Sequence, residues 1–210
     1  MVAQSGTPSK HLEVVHSESL YGGIVRGLLS GNSAAASALY RHFGQRVNRL
    51  VWKLLGADQE HDDVVQQVFI QVLGSIKTLR DPERLESWII GVTVHTVRKE
   101  IRKRQIHRRL MPFYQWSRAE PQTRDPETAL LARQFYQVLE TLKTDDRIVF
   151  SLFFIEGYTL SEIAEVGQYS LPTAKRKLKH ARLAMMKRIR KDPVLAGWVE
   201  ELDREEASHG

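Results

Sequence analysis

Apolar residues recur at steps of three and four along most of this chain, and the runs between breakers have the length of helices. A short amphipathic segment spans Tyr21–Leu29, and Gly31-Asn32-Ser33 then breaks it and caps a second helix. Leu39, Phe43, Val47, Leu50, Val51 and Leu54 stripe that helix, which Gly56 ends. His61-Asp62-Asp63 opens a third, with Val65, Val68, Phe69, Val72, Leu73 and Ile76 on its buried face. Asp81-Pro82 marks a turn within Leu79–Glu86. A fourth helix carries Leu85, Trp88, Ile89, Val92, Val97 and Ile101, although its β-branched run Ile89–Val97 weakens the helical signal. The periodicity fails from about Gln105 to Pro126, where prolines and aromatics (Pro112, Phe113, Tyr114, Trp116, Pro121) follow His107-Arg108-Arg109. Helical spacing returns in Ala129–Leu142 and Asp145–Glu156.

The stretch Gly157–Arg182 then reads as two helices about a tight turn. Thr159 or Ser161 caps the first and Glu162 adds a carboxylate to its opening turn. After Gly167–Ser170, Pro172 fits the first turn of the next helix because it pre-sets φ where no intrahelical donor is needed. Ala174, Leu178, Ala181, Met185 and Ile189 form one buried stripe, flanked by rows of Lys and Arg. The predicted fold is all-α, two small helical domains joined by an extended linker, the second containing a helix-turn-helix. The expected division is a disordered 1–17, a first domain 18–105, a linker 106–126, a second domain 127–191 and an acidic tail 192–210.

Charge sharpens this picture by its distribution. The net charge is +6, but Arg98–Arg109 holds seven Lys or Arg against Glu100 alone, and Lys175–Lys191 holds nine against no acid. Two separate cationic patches fit a polyanion met at two places, and a helix packed on one side and cationic on the other suits a DNA major groove. The tail from Asp192 reverses sign, with six acids against Arg204, and either screens the basic domain or serves as a solubilising end. The absence of cysteine excludes disulfides and thiol nucleophiles and argues against structural zinc. No apolar run has spanning length, and MVAQSGTPSKHLEVVHSES lacks the apolar core of a signal peptide, so a cytoplasmic protein without membrane insertion is expected.

In order and spacing, these parts resemble the extracytoplasmic-function (ECF) group of sigma-70 family RNA polymerase sigma factors. The resemblance rests on GNSAAASALYRHFGQRVNRLVWKLLG (Gly31–Gly56), DDVVQQVFIQVLGSIKTL (Asp62–Leu79), RLESWIIGVTVHTVRKEIRKRQ (Arg84–Gln105), and LETLKTDDRIVFSLFFIEGYTLSEIAE with the basic helix after it. It implies a non-enzymatic subunit without cofactor or metal, whose partners are the β and β′ subunits of core polymerase, promoter DNA and an anti-sigma factor. It implies core binding by Asp62, Asp63, Gln66, Gln67 and Phe69, and contact with an opened −10 element by Trp88, His95, Arg98, Lys99 and Arg102. Opening duplex calls for apolar surfaces beside phosphate-binding cations, and the Leu79–Glu86 loop could hold an unstacked base. For Trp88 itself, core packing competes with stacking. The −35 element would be read by Leu171, Thr173, Lys175, Arg176 and Lys179, with Arg182 and Lys187 nearer phosphates. The exposed edge of Ile148–Phe154 would meet the flexible flap of the β subunit.

Two positions depart from the family pattern. His95 stands where an Asn is usual, and Gly167-Gln168 replaces an apolar residue followed by Gly, which would place Gln168 in a left-handed conformation. Two other classes compete. A helix-turn-helix regulator would bind duplex without polymerase, but residues 20–105 carry no sign of a ligand pocket. A metal-dependent phosphohydrolase would use His61-Asp62 with His42, but His95, His107 and His180 sit among cations that repel a metal.

Overall fold

A computed structural model of the chain describes residues 10–56, 60–110 and 126–196. The described residues form eight α-helices and no strand. The first domain comprises α1 (Lys10–Leu29), α2 (Ser33–Leu55), α3 (His61–Ser75) and α4 (Leu85–Leu110). The second comprises α5 (Pro126–Glu140), α6 (Thr144–Phe150), α7 (Leu160–Gly167) and α8 (Leu171–Ile189).

Local chemistry sets the helix ends. Asn32 caps α2 by accepting from the Ala34 N–H at 2.9 Å. At the other end Gly56 takes φ 75°, and a Cβ there would lie 2.8 Å from Cδ1 of Tyr136, so backbone conformation and ring contact both demand glycine. Asp62 and Asp63 place negative charge at the positive end of α3. Between α3 and α4, Asp81 accepts from the Glu83 N–H at 3.0 Å and holds the turn at Pro82.

Two boundaries differ from the sequence reading. The backbone is helical from Lys10, where disorder to residue 17 was expected. No Pro or Gly interrupts Lys10–Leu20, and extending a helix already anchored by buried Ile24 and Val25 is far cheaper than nucleating one. Helix α4 likewise continues to Leu110, beyond Gln105, because Arg104 is buried and paired with Glu100 at 2.7 Å. The proline and aromatic positions of the linker, and the acids of the tail from Glu200 onward, lie outside the described residues. The tail's first residues do pack: Asp192 accepts from the N–H groups of Val194 and Leu195, and Leu195 joins the core beside Met185.

The two domains pack against each other through a continuous apolar cluster. It runs from Leu39, Val47 and Val68 through Ile89, Val94 and Val97 of α4 to Ile148, Leu152, Ile163 and Ala174 of the second domain. This arrangement explains the β-branched run in α4. Ile89, Ile90, Thr93, Val94, Thr96 and Val97 are all buried because α4 has neighbours on two sides, α2 and α3 on one and α6 and α7 on the other. Burial of such side chains is worth about 1.5–3 kcal/mol each, which outweighs the few tenths that β-branching costs a helix. The buried hydroxyls of Thr93 and Thr96 donate back to the Ile89 and Val92 carbonyls, both at 2.9 Å.

A second junction ties α2 to the other domain. Arg147, buried, donates from Nε and Nη2 to the Leu54 carbonyl at 3.2 and 2.9 Å, capping α2 from outside. Lys53 pairs with Glu156 at 2.8 Å across the same seam.

Candidate nucleic-acid and polymerase interfaces

The helix-turn-helix is built as its sequence predicts. Thr159 and Glu162 form a reciprocal cap: the Thr159 N–H donates to Glu162 Oε2 at 2.8 Å, and the Glu162 N–H donates to Thr159 Oγ1 at 3.3 Å. Hydrogen bonds from the Thr159 backbone and then its hydroxyl hold the Glu162 carboxyl below its ordinary range. Gln168 ends α7 at φ 56° and ψ 45°, the left-handed conformation expected of it. The Tyr169 N–H then donates to the Ala164 carbonyl at 2.8 Å, and Ser170 caps α8.

Helix α8 buries Ala174, Ala181 and Met185 and turns Lys175, Arg176, Lys179 and Arg182 to solvent. Leu171 is also exposed at its N-terminus, and Thr173 is half-buried beside the Ser170 hydroxyl at 2.8 Å. The expected −35 residues therefore share one accessible, cationic face. Lys177 departs from them, reaching inward to Asp145 at 3.3 Å. His180 meets the buried Asp146 at 2.6 Å.

The face of α4 is arranged differently. Trp88 is half-buried and packs against the core, as the core reading of this residue had it, and it also lines a cleft of about 630 Å³. The Leu79–Asp81 loop, Ser87 and His95 line the same cleft from the first domain, and Glu165, Val166 and Gln168 line it from the second. Lys99 and Arg102 are exposed, but Arg98 is not. Its side chain is 11 % exposed, with Nη2 donating to the Tyr169 hydroxyl at 2.7 Å and the Gly167 carbonyl at 2.9 Å. Its Nε lies 3.1 Å from Asp145 Oδ1. Burial would raise the Asp145 pKa, yet the Tyr169 hydroxyl, Lys177 and Arg98 outweigh it and keep the carboxyl below its ordinary range. Burial also pushes Tyr169 well above the usual phenol range. His95 is shifted down from 6.5, first by desolvation and then by Lys99, Arg98 and Arg102, so the ring is neutral at pH 7.

On α3 the residues Asp62, Asp63, Gln66 and Gln67 form an exposed polar row. Phe69 does not stand with them. It is 8 % exposed, its ring centroid 5.0 Å from that of Tyr40, so it supports the surface from beneath. The apolar part of the surface belongs to Tyr40, Ile70 and Leu73, at 59, 53 and 44 % exposed. Leu73 was expected in the core, but the α3 stripe is narrower than its apolar content. An exposed Ile and Leu three residues apart beside an acidic row was the available sequence signal. Phe154, 50 % exposed, supplies the open edge of the Ile148–Phe154 run.

The phosphohydrolase reading finds no site. His61 is buried and its Nε2 meets Asn48 Oδ1 at 2.6 Å, while His42 stacks edge-on against Tyr21. No group of three or more His, Asp or Glu side chains among the described residues could hold a metal, and no helix among them is long and apolar enough to cross a membrane.

Comparison with known proteins assigns both halves. Residues 39–106 match sigma-70 region 2 and residues 132–185 match sigma-70 region 4. The ECF RNA polymerase sigma factor SigX of Bacillus subtilis is 25 % identical over 139 residues, covering 63 % of this chain and 72 % of SigX. The solved structure of CnrH in complex with the cytosolic domain of CnrY superposes with a TM-score of 0.58 over 84 % of this chain and 98 % of that one, at 21 % identity. The sigma factor RpoE of Bartonella quintana, in complex with the anti-sigma factor NepR, gives a TM-score of 0.52 over 68 % and 89 %, at 15 % identity. With helices, caps and cationic faces in this order and both regions matched, the chain belongs to the sigma-70 family, in its ECF group of RNA polymerase sigma factors.

Proposed function

We propose a division of labour along the chain for its work as an RNA polymerase sigma factor, directing core enzyme to −35 and −10 promoter elements. The face Lys175, Arg176, Lys179 and Arg182 of α8, with Leu171 and Thr173, binds the −35 duplex. Arg176 is the base-reading residue, because its fork can hold guanine O6 and N7 together. Trp88, His95, Arg98, Lys99 and Arg102 serve the opened −10 element. Asp62, Asp63, Gln66 and Gln67, with Tyr40, Ile70 and Leu73 over Phe69, dock on the β′ subunit, and Phe154 marks the edge offered to the β subunit. The protein is not an enzyme and works in the cytoplasm. Because the related RpoE of Bartonella quintana was solved with the anti-sigma factor NepR, an anti-sigma protein is a further partner.

The observation that carries this reading is the exposure of Lys175, Arg176, Lys179 and Arg182 on a helix, α8, that buries Ala174, Ala181 and Met185 on its other side. Arg176→Ala tests it. The variant should bind core polymerase as the native chain does, yet lose promoter affinity by about fivefold to 150-fold, the ~1–3 kcal/mol expected of a bidentate base contact. Equal loss of core binding would refute the division of labour.

A further inference from the structure

Helix α8 carries a feature that reading a duplex does not need. Leu183 is 63 % exposed, and Met186, one turn further on, is exposed beside it. Lys179 and Lys187 stand one turn before and after Leu183, and Arg182 and Arg190 flank Met186 in the same way. All four cations are exposed, and none has an acidic partner among the described residues, whereas Lys177 and His180 meet Asp145 and Asp146. The base-reading candidates Leu171, Thr173 and Arg176 lie at the N-terminal end of α8, and Leu183 comes seven residues, about 10 Å, after Arg176. An exposed leucine and methionine gain nothing from DNA phosphates. An apolar centre set between two pairs of cations instead fits an acidic, amphipathic stretch of polypeptide.

The chain itself supplies such a stretch. Leu195 packs into the core beside Met185 and so anchors the chain against α8. Beyond the described residues, Trp198, Val199 and Leu202 continue from Leu195 at steps of three and four, and five acids stand against Arg204 between residues 200 and 206. Ala196 to Leu202 is six steps of chain, up to about 20 Å, while a helix with its side chains is only about 10–12 Å across. The segment therefore reaches round α8 to Leu183. We propose that residues 198–206 dock on this patch, with Trp198 and Leu202 over Leu183 and Met186, and Glu201, Asp203 and Glu205 among Lys179, Arg182, Lys187 and Arg190. The docked segment competes with duplex, because phosphates must displace its carboxylates from α8. A tether this short gives an effective concentration in the millimolar range, so a contact with an intrinsic Kd of about 0.2 mM weakens duplex binding about fivefold. This inference rests on the assignment of α8 to duplex DNA made above.

The chain has no cysteine, so Ser208→Cys in the full chain takes a single nitroxide label. Methyl NMR should then show Leu183 and Met186 selectively broadened relative to Leu29, which is exposed on α1. Added duplex should relieve that broadening. Trp198→Ser/Leu202→Ser keeps every charge, so it should abolish the broadening and raise affinity for a short duplex, read by anisotropy, about fivefold. The absence of selective broadening in the labelled native tail overturns the proposal. Equal broadening in a mixture of spin-labelled and isotope-enriched copies gives the patch to a second molecule and also overturns it. Lys175→Ala/Arg176→Ala keeps the two claims apart. If it weakens duplex binding while no selective broadening is seen, the tail contact fails and the duplex role of α8 stands. If broadening is present yet this variant binds duplex as the native chain does, the duplex role of α8 fails and takes the competition with it.

Discussion

The ring of Tyr169 lies across the backbone of Gly167, and a Cβ added at Gly167 would stand 2.4 Å from Cε2 of that ring. No real side chain tolerates such a contact, so the glycine exists to seat the tyrosine against α7. The hydroxyl of the same ring reaches both Arg98 and Asp145, at 2.7 and 2.9 Å. The geometry of one turn thus governs a contact between domains.

Gly167→Ala should destabilise the protein by about 1–3 kcal/mol, the usual penalty for overpacking, while Tyr169→Ala should cost a similar amount through lost burial. The double variant should be less harmful than the sum, because removing the ring removes the clash. Thermal or denaturant unfolding of the four proteins measures this coupling, and strict additivity would contradict the proposed fit.

Gln168 holds φ 56° with a full side chain, a conformation that costs a non-glycine residue about 1–2 kcal/mol. Gln168→Gly should therefore stabilise the chain by up to about 1 kcal/mol, less the extra entropy glycine gives the unfolded state. A fall in unfolding midpoint would show that the Gln168 side chain contributes more than its strain removes.

His95 should titrate below 6.5 when followed by NMR of its ring protons, and Lys99→Ala should move the value back upward. The folded state resists protonation more than the unfolded one, so stability is undiminished above pH 6.5 and declines as pH falls from there towards the folded value. A titration at or above 6.5 would contradict the cationic surroundings described for the ring.

Ile70→Asp and Leu73→Asp should leave unfolding within about 0.5 kcal/mol of the native chain, since both side chains already face solvent. The same changes should weaken binding to core polymerase at least tenfold if the patch is a packed docking surface. A variant that unfolds would place these residues in the core after all, and undiminished binding would remove them from the interface.

Much of this was legible in the sequence because local rules act locally. Thr159 three residues before Glu162, Pro172 behind Ser170, and the 174–178–181–185 stripe each specify a piece of backbone with little outside help. Even the strained Gln168 could be read from the lack of a glycine at its position. What remained hidden depended on contacts remote in sequence. Arg98 is a plain basic residue until Tyr169 and Asp145, 71 and 47 positions away, come to meet it. The run Ile89–Val97 did contain a trace of that encounter, for a helix apolar on more than one face needs more than one neighbour. Phe69 shows the opposite limit: period placed it on α3, but only the position of Tyr40 made it a support rather than a surface.

Run-off transcription with purified core polymerase tests the central claim most directly. The template is a promoter chosen by sequencing the transcripts this chain induces. Adding the chain to core enzyme should yield a discrete transcript from the expected start, with little product from either component alone. Arg176→Ala should remove that transcript at the native protein concentration. Full-strength, specific promoter binding by the chain alone, with no change in transcription when core enzyme is supplied, would contradict its assignment as a working sigma factor.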